Sequence, residues 1–272
     1  MTSARYAVVG NPIAHSKSPE IHAAFARQTG HDLTYERLLA PLDGFRATVD
    51  AFRAAGGQGV NVTLPFKLEA FAYAVRRSER ATAAGAINAL RFDAAGVFGD
   101  NTDGAGLVRD LETNLGVDLR GAEVLLLGAG GAARGVMLPL LGAGVGRLVI
   151  ANRTVEKAGQ LAARYAGDNR VHASGFDTVP GAFDIVINAT SATLGGEVPP
   201  LAPSVYAHCV LAYEMMYGQG ETSFLRAARE AGSARQADGL GMLVEQAAES
   251  FLLWRGVRPD TAPVLRLLRD AA

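Results

Sequence analysis

"EVLLLGAGGAARGVM", residues 123–137, decides the fold. An unbroken apolar run, Val124 to Leu127, reads as a strand buried on both faces, because a half-wet strand would alternate. Gly128, Gly130 and Ala133 then give G-x-G-x-x-A just as a helical pattern starts. Glycine there allows a tight turn and a close backbone approach. The helix start adds unpaired N–H groups and the positive end of a dipole, which together suit a pyrophosphate. A purely structural turn would use the same glycines, but strand, loop and helix in this order favour a dinucleotide seated on Gly128, Ala129, Gly130, Gly131 and Ala132.

The next strand speaks to which dinucleotide. A carboxylate about 20 residues on would accept from the ribose hydroxyls of NAD. "RLVIANRTVEKA" instead ends its strand on Asn152, followed by Arg153 and Thr154, with Lys157 one turn later. An amide, a guanidinium and a hydroxyl accommodate a 2′-phosphate, so the pattern favours NADP over NAD. The same cations could also be an ordinary solvated helix start. "FDIVINATS" ends a further strand with Asn188, Ala189, Thr190 and Ser191, at the carboxyl end where ligands of open α/β sheets sit.

Outward from this centre, short apolar runs alternate with helical patterns along the whole chain: "RYAVVG" then 19–29, "GVNVTL" then 66–76, "RLVIAN" then 155–166, "CVLAYEM" then 222–232. Such alternation predicts an α/β protein with mainly parallel sheets. The turn-rich "GDNTDG" before a helix at 105–115 suggests a boundary near 102, and "QADG" another near 238. The expected organisation is an N-terminal α/β domain, 1–102, a Rossmann-type domain, 103–238, and helices at 239–272 returning to the first.

Composition excludes several classes. The 272 residues are 49% hydrophobic, enough for a sizeable core, with a formal net charge of −1. No basic field points to nucleic acid. Cys209 is the only cysteine, so neither an intramolecular disulfide nor a cysteine metal cluster is expected, in keeping with a cytoplasmic protein. The N-terminus has no signal-peptide layout, and the longest apolar tract, 124–151, is interrupted by Arg134, Pro139 and Arg147, so no membrane span is expected.

The first part carries polar groups at helix starts. In "NPIAHSKSPEIHAAF", residues 11–25, Ser18 and Pro19 read as an N-cap and first helical residue, with Ile21 at the position where a capping box would need Glu or Gln. Ser16 and Ser18 are either a turn and a cap or, with the free N–H groups behind them, a seat for a carboxylate. "GVNVTLPFKLEA" sets Lys67 at a helix start, where its charge opposes the dipole and suggests another partner. Asn88 lies in "GAINAL", and Asp103 stands where a plain N-cap would.

Taken together, "GNPIAHSKSP", "NVTLPFK", "AGAINAL", "GDNTDG", "GAGGAARG", "NRT", "NATS" and "DGLGMLVEQAA" resemble the shikimate dehydrogenase family, in its order and over essentially the whole chain. The resemblance implies a substrate domain and an NADP-binding domain, reversible NADPH-dependent reduction of 3-dehydroshikimate, and a place on the route to aromatic amino acids. It implies a Lys67–Asp103 catalytic pair. Ser16 and Ser18 would hold the substrate carboxylate with Thr63 near them, while Asn61, Asn88, Asp103 and Gln246 would hold ring hydroxyls and Tyr213 would lie close by. Asn152, Arg153, Thr154 and Lys157 would clamp the 2′-phosphate, with Thr190, Gly239 and Met242 also at the cofactor. It implies no metal and allows a monomer or a homodimer.

Three positions depart from the family's habit: Lys157 where a second arginine is common, Glu214 for aspartate, and Ala192 for serine. Two other readings stay open: an NAD-dependent quinate/shikimate dehydrogenase, and a non-catalytic NADP-binding sensor on the same fold.

Overall fold

The computed structural model describes residues 3–218 and 220–270, with backbone alone at 193 and 194. The chain divides into two compact units, residues up to 106 together with those from 243 onward, and residues 107–242.

The first unit runs β1 (Ala4–Gly10), α1 (Ser18–Thr29), β2 (Leu33–Leu39), α2 (Phe45–Ala54), β3 (Gly57–Val62), α3 (Lys67–Tyr73), β4 (Arg76–Arg77), α4 (Glu79–Ala84), β5 (Ala89–Asp93), β6 (Gly96–Asp100) and the start of α5 (Asp103–Arg109). Its sheet has the order β2-β1-β3-β5-β6-β4. The expected parallel pattern holds for β2-β1-β3. It breaks at β5, which pairs antiparallel with both β3 and β6. The hairpin is local: Asp93 pairs with Gly96, and Asp93 Oδ1 accepts from the Ala95 N–H at 2.9 Å, closing a two-residue connection. Apolar strand residues such as Val60, Val62 and Leu90 pack against Phe45, Phe52 and Phe66 on one side of this sheet.

The second unit continues through a π-helical turn at Asp110–Asn114 to β7 (Glu123–Leu127), α6 (Gly131–Gly142), β8 (Arg147–Ala151), α7 (Val155–Ala163), β9 (Val171–Ser174), β10 (Ile185–Asn188), β11 (Leu211–Glu214), α8 (Ser223–Glu230) and β12 (Gln236–Asp238). All six strands are parallel, in the order β12-β11-β10-β7-β8-β9. Read from β9, this is the 3-2-1-4-5-6 order of a doubly wound dinucleotide fold, with the switch point between β7 and β10. Strands buried on both faces need unbroken apolar runs, and Val124, Leu125, Leu126 and Leu127 are all wholly buried, split between two cores.

The chain crosses from one unit to the other inside helices, within α5 and again within α9 (Leu240–Arg255), before α10 (Ala262–Asp270). The breaks expected at 102 and 238 therefore lie four residues early. "GDNTDG" looks like a linker because it is polar, yet Asp100, Asn101, Thr102 and Asp103 are all buried. Each is hydrogen-bonded within the first unit, and a polar loop satisfied in this way behaves as core. No described helix is long and apolar enough to cross a bilayer.

One core group of the first unit makes stability sensitive to pH. His22 of α1 is wholly buried, stacked on Tyr35 with ring centroids 4.3 Å apart and flanked by Trp254 and Phe251. Neither ring nitrogen has a hydrogen-bond partner. Burial pushes its pKa down to about 3, opposed only in part by the nearby Asn61 amide. Because the unfolded chain takes up this proton below about pH 6.5 and the folded chain does not, stability is full above that pH and falls as pH is lowered toward 3. At pH 5 the loss from His22 is about 2 kcal/mol. Denaturant unfolding of the full chain at pH 7 and pH 5 checks this: His22→Leu should lose about that much less than wild type between the two, and identical pH slopes would contradict it.

Candidate active site

Lys67 opens α3 with no side chain capping the helix ahead of it. The partner that compensates its misplaced charge is Asp103, at the start of α5: Lys67 Nζ donates to Asp103 Oδ2 at 2.6 Å. The two side chains are 17% and 7% exposed, so the pair is largely shielded yet reachable through the lysine. Asp103 does not cap its own helix. Its other oxygen accepts from Asn88 Nδ2 at 2.8 Å, and Thr102 occupies the position before the helix.

Asn88 is fixed from both ends, since its Oδ1 accepts the Thr102 N–H at 2.7 Å while its Nδ2 faces the carboxylate. Gln246 of α9 joins the group. Its Oε1 lies 3.3 Å from Asn88 Nδ2 and 3.4 Å from Thr102 Oγ1. Four of the residues named from sequence, Lys67, Asn88, Asp103 and Gln246, thus meet in one cluster within the first unit.

The serine corner forms differently from the sequence expectation. Helix α1 begins at Ser18 itself, and Lys17 occupies the cap position with no side-chain cap, so Ser18 is not the N-cap. Ser16 does that work instead: its Oγ accepts the Ser18 N–H at 3.3 Å and donates to Ser18 Oγ at 3.2 Å, and Ser18 in turn bonds the Tyr35 hydroxyl. Both serines are buried, and Thr63 is held beside the end of β1 by its N–H to the Val9 carbonyl at 3.0 Å. Arg37, from β2, was not legible as a site residue. Its Nε and Nη2 donate to the Ser16 carbonyl at 2.9 and 2.5 Å, and Nη2 reaches Glu20 at 2.8 Å. A guanidinium therefore pins the turn that carries both serines.

Two residues named from sequence are held by the protein itself. Asn61 Nδ2 donates to the Asn88 carbonyl at 3.1 Å and to Ser250 Oγ at 2.8 Å, and Oδ1 accepts from Tyr35 at 2.7 Å. With both amide hydrogens committed, it braces the scaffold. Tyr213 is wholly buried under the β11 side of the second unit and donates to Asp110 Oδ2 at 2.6 Å. Burial and the Asp110 carboxylate push that hydroxyl well above the usual tyrosine range, so it stays a structural donor. A motif names a tyrosine but not the face it occupies. Tyr217, half-buried in the loop beyond the carboxyl end of β11, stands where ligands of such sheets bind.

In the second unit the glycine loop fits a dinucleotide. Gly128 has φ +104°, and a Cβ there would meet the Ala189 carbonyl at 3.2 Å, so the loops after β7 and β10 close on each other at the switch point. At Gly130 and Gly131, by contrast, a Cβ would enter open space, and the α6 N-terminus has no side-chain cap. An uncapped helix start facing open room is what a pyrophosphate needs. At the end of β8, Asn152 Nδ2 donates to the Thr154 carbonyl at 2.8 Å, shaping the turn. Arg153, Thr154 and Lys157 are exposed, and neither cation forms an ion pair among the described residues.

The remaining three positions are more structural than expected. Thr190 gives its hydroxyl hydrogen to Asn188 Oδ1 at 2.7 Å. Gly239 is required because a Cβ would lie 2.2 Å from the Met215 carbonyl oxygen. Met242 is 7% exposed within the core of the second unit. Among the described residues, no group of three or more His, Cys, Asp or Glu could hold a metal.

A doubly wound nucleotide unit, joined in one chain to an α/β unit bearing a shielded lysine–aspartate pair, defines a two-domain, nicotinamide-dependent oxidoreductase. The chain belongs to the shikimate dehydrogenase family. Its substrate binding domain matches at residues 8–90, the shikimate / quinate 5-dehydrogenase domain at 110–195, and the shikimate 5'-dehydrogenase C-terminal domain at 239–269. The chain is 63% identical to the shikimate dehydrogenase (NADP(+)) of Aromatoleum aromaticum over 99% of its own length and 98% of that protein. Its identity to the enzyme of the same description from Nitrosospira multiformis is 59%, covering 98% and 97%. Among solved structures it is similar to shikimate 5-dehydrogenase from Thermus thermophilus in complex with NADP(H) and shikimate, at 33% identity, TM-score 0.86, and 99% and 100% coverage. It is also similar to an Ael1 enzyme from Pseudomonas putida, at 54% identity, TM-score 0.93, and 98% coverage of both chains.

Proposed function

We propose that this chain catalyses the reversible NADPH-dependent reduction of 3-dehydroshikimate to shikimate, on the cytoplasmic route to chorismate and the aromatic amino acids. The observation that carries the reading is the 2.6 Å Lys67–Asp103 pair with Asn88 on its second oxygen, in the same unit as the buried serine corner. A polyhydroxylated ring acid needs an anion seat, polar anchors and a charged group at the reacting oxygen, and this unit offers all three.

In this reading Ser16, Ser18 and Thr63 receive the carboxylate, and Asn88, Asp103 and Gln246 orient the ring hydroxyls. Gly128 to Ala132 hold the pyrophosphate, Arg153, Thr154 and Lys157 hold the 2′-phosphate, and Tyr217 borders the ligand. NADPH, when bound, supplies two-electron reduction of the ring carbonyl. Lys67 stabilises the negative charge that develops on the carbonyl oxygen and holds the proton that oxygen takes, while Asp103 aims the ammonium. The test is reduced-nicotinamide absorbance with shikimate or quinate, each offered NADP or NAD. Fastest turnover with shikimate and NADP supports the reading. Binding without turnover would favour the sensor, and preferred quinate and NAD the quinate enzyme.

The serine corner makes its contact before and during reaction, so Ser16→Ala is expected to raise KM about five- to tenfold with kcat near wild type. Steady-state kinetics check this, and an effect on kcat alone would remove Ser16 from the carboxylate seat.

A further inference from the structure

Behind the Lys67–Asp103 pair runs a buried hydrogen-bonded chain whose direction is assigned as far as Ser250. Asn61 Nδ2 faces the Asn88 main-chain carbonyl, which can only accept, so the orientation of that amide is settled. Tyr35 must then donate to Asn61 Oδ1, and the second Asn61 hydrogen goes to Ser250 Oγ at 2.8 Å. Having accepted there, Ser250 directs its own hydrogen either to Thr102 Oγ1, 3.3 Å away, or to the Gln246 carbonyl at 3.1 Å. Thr102 Oγ1 accepts from Asn88 Nδ2 at 2.9 Å, and the other hydrogen of that amide holds Asp103.

Ser250 is wholly buried in the middle of α9, 148 positions along the chain from Thr102, and touches neither member of the pair. Its hydroxyl joins the Asn61 side chain of β3 to the Thr102 side chain, beside the direct Asn61–Asn88 main-chain bond. A hydroxyl buried at that depth is favourable only because it is bonded.

Resting on the reading of Lys67 and Asp103 as the chemical centre, we propose that Ser250 is a positioning residue for the reaction, setting the orientation of Asn88 and Asp103 through Thr102. The expected signature is a fall in kcat without a matching change in KM, because the misaligned group acts on the transition state more than on ground-state binding.

The test compares Ser250→Ala and Ser250→Cys with wild type in shikimate oxidation by NADP, across pH. Alanine removes the hydroxyl, whereas cysteine restores most of the volume with a poor hydrogen-bonding group. Both should lose about five- to tenfold in kcat with KM changed less than about twofold, the loss expected when the reacting groups are less well aligned. Both should also shift the pH profile of kcat. Turnover in Ser250→Ala within twofold of wild type would overturn the proposal. So would wild-type behaviour in Ser250→Cys, which would assign the serine to packing, or an effect confined to KM. Lys67→Met measured alongside separates the two claims: full turnover in that variant would remove the chemical centre itself.

Discussion

Lys67→Met is expected to lower kcat by about 10²–10⁴, roughly 3–5.5 kcal/mol of barrier, while shikimate affinity stays within a few-fold of wild type. The expectation follows from where the charge sits. The ammonium is already held 2.6 Å from Asp103 with little solvent around it, so no reorganisation is needed as charge builds on the substrate oxygen. Methionine keeps the length of the side chain and removes the charge and the donated hydrogen. Asp103 then loses its ion-pair partner but keeps the Asn88 hydrogen bond, so the cluster should stay folded. Rapid-mixing kinetics beside calorimetric binding of shikimate separate the two quantities. A variant that binds weakly but turns over normally would make Lys67 an anchor and leave the proton assignment without support.

Arg153→Ala should weaken NADPH binding by about 10- to 150-fold and leave NADH binding almost untouched, the range expected for one or two charge-assisted hydrogen bonds to a phosphate. The guanidinium is exposed and without an ion pair among the described residues, so removing it breaks nothing in the fold. Lys157, as a point charge on the first turn of α7, should retain part of the affinity but little of the geometric selectivity. Fluorescence titration with each cofactor measures this. Equal losses for NADPH and NADH would place Arg153 at a group the two cofactors share.

What the sequence made legible follows from where local physics is decisive. The turn at Gly128 requires positive φ, and buried strands require unbroken apolar runs, so 123–137 announces both the fold and its phosphate site. Lys67 was legible because a cation at a helix start is a misfit that asks for a partner. The antiparallel β5–β6 hairpin was not legible, since alternation along the chain says nothing about which strands pair. The surroundings of Tyr213 are not legible for a related reason: Tyr217 follows one short turn later, and only the finished sheet shows which of the two is buried against Asp110. Asn61, Arg37 and Ser250 take their roles from partners distant in sequence, and no local pattern distinguishes a bracing amide from a binding one.

The structure of the chain with shikimate and NADP bound is the most direct measurement of the central claim. The account predicts the hydroxyl oxygen on the reacting carbon within about 3 Å of Lys67 Nζ, with Asp103 hydrogen-bonded to the same ring and the carboxylate against Ser16 and Ser18. A ring turned so that its carboxylate faces Lys67, with the reacting hydroxyl toward the serines, would contradict it.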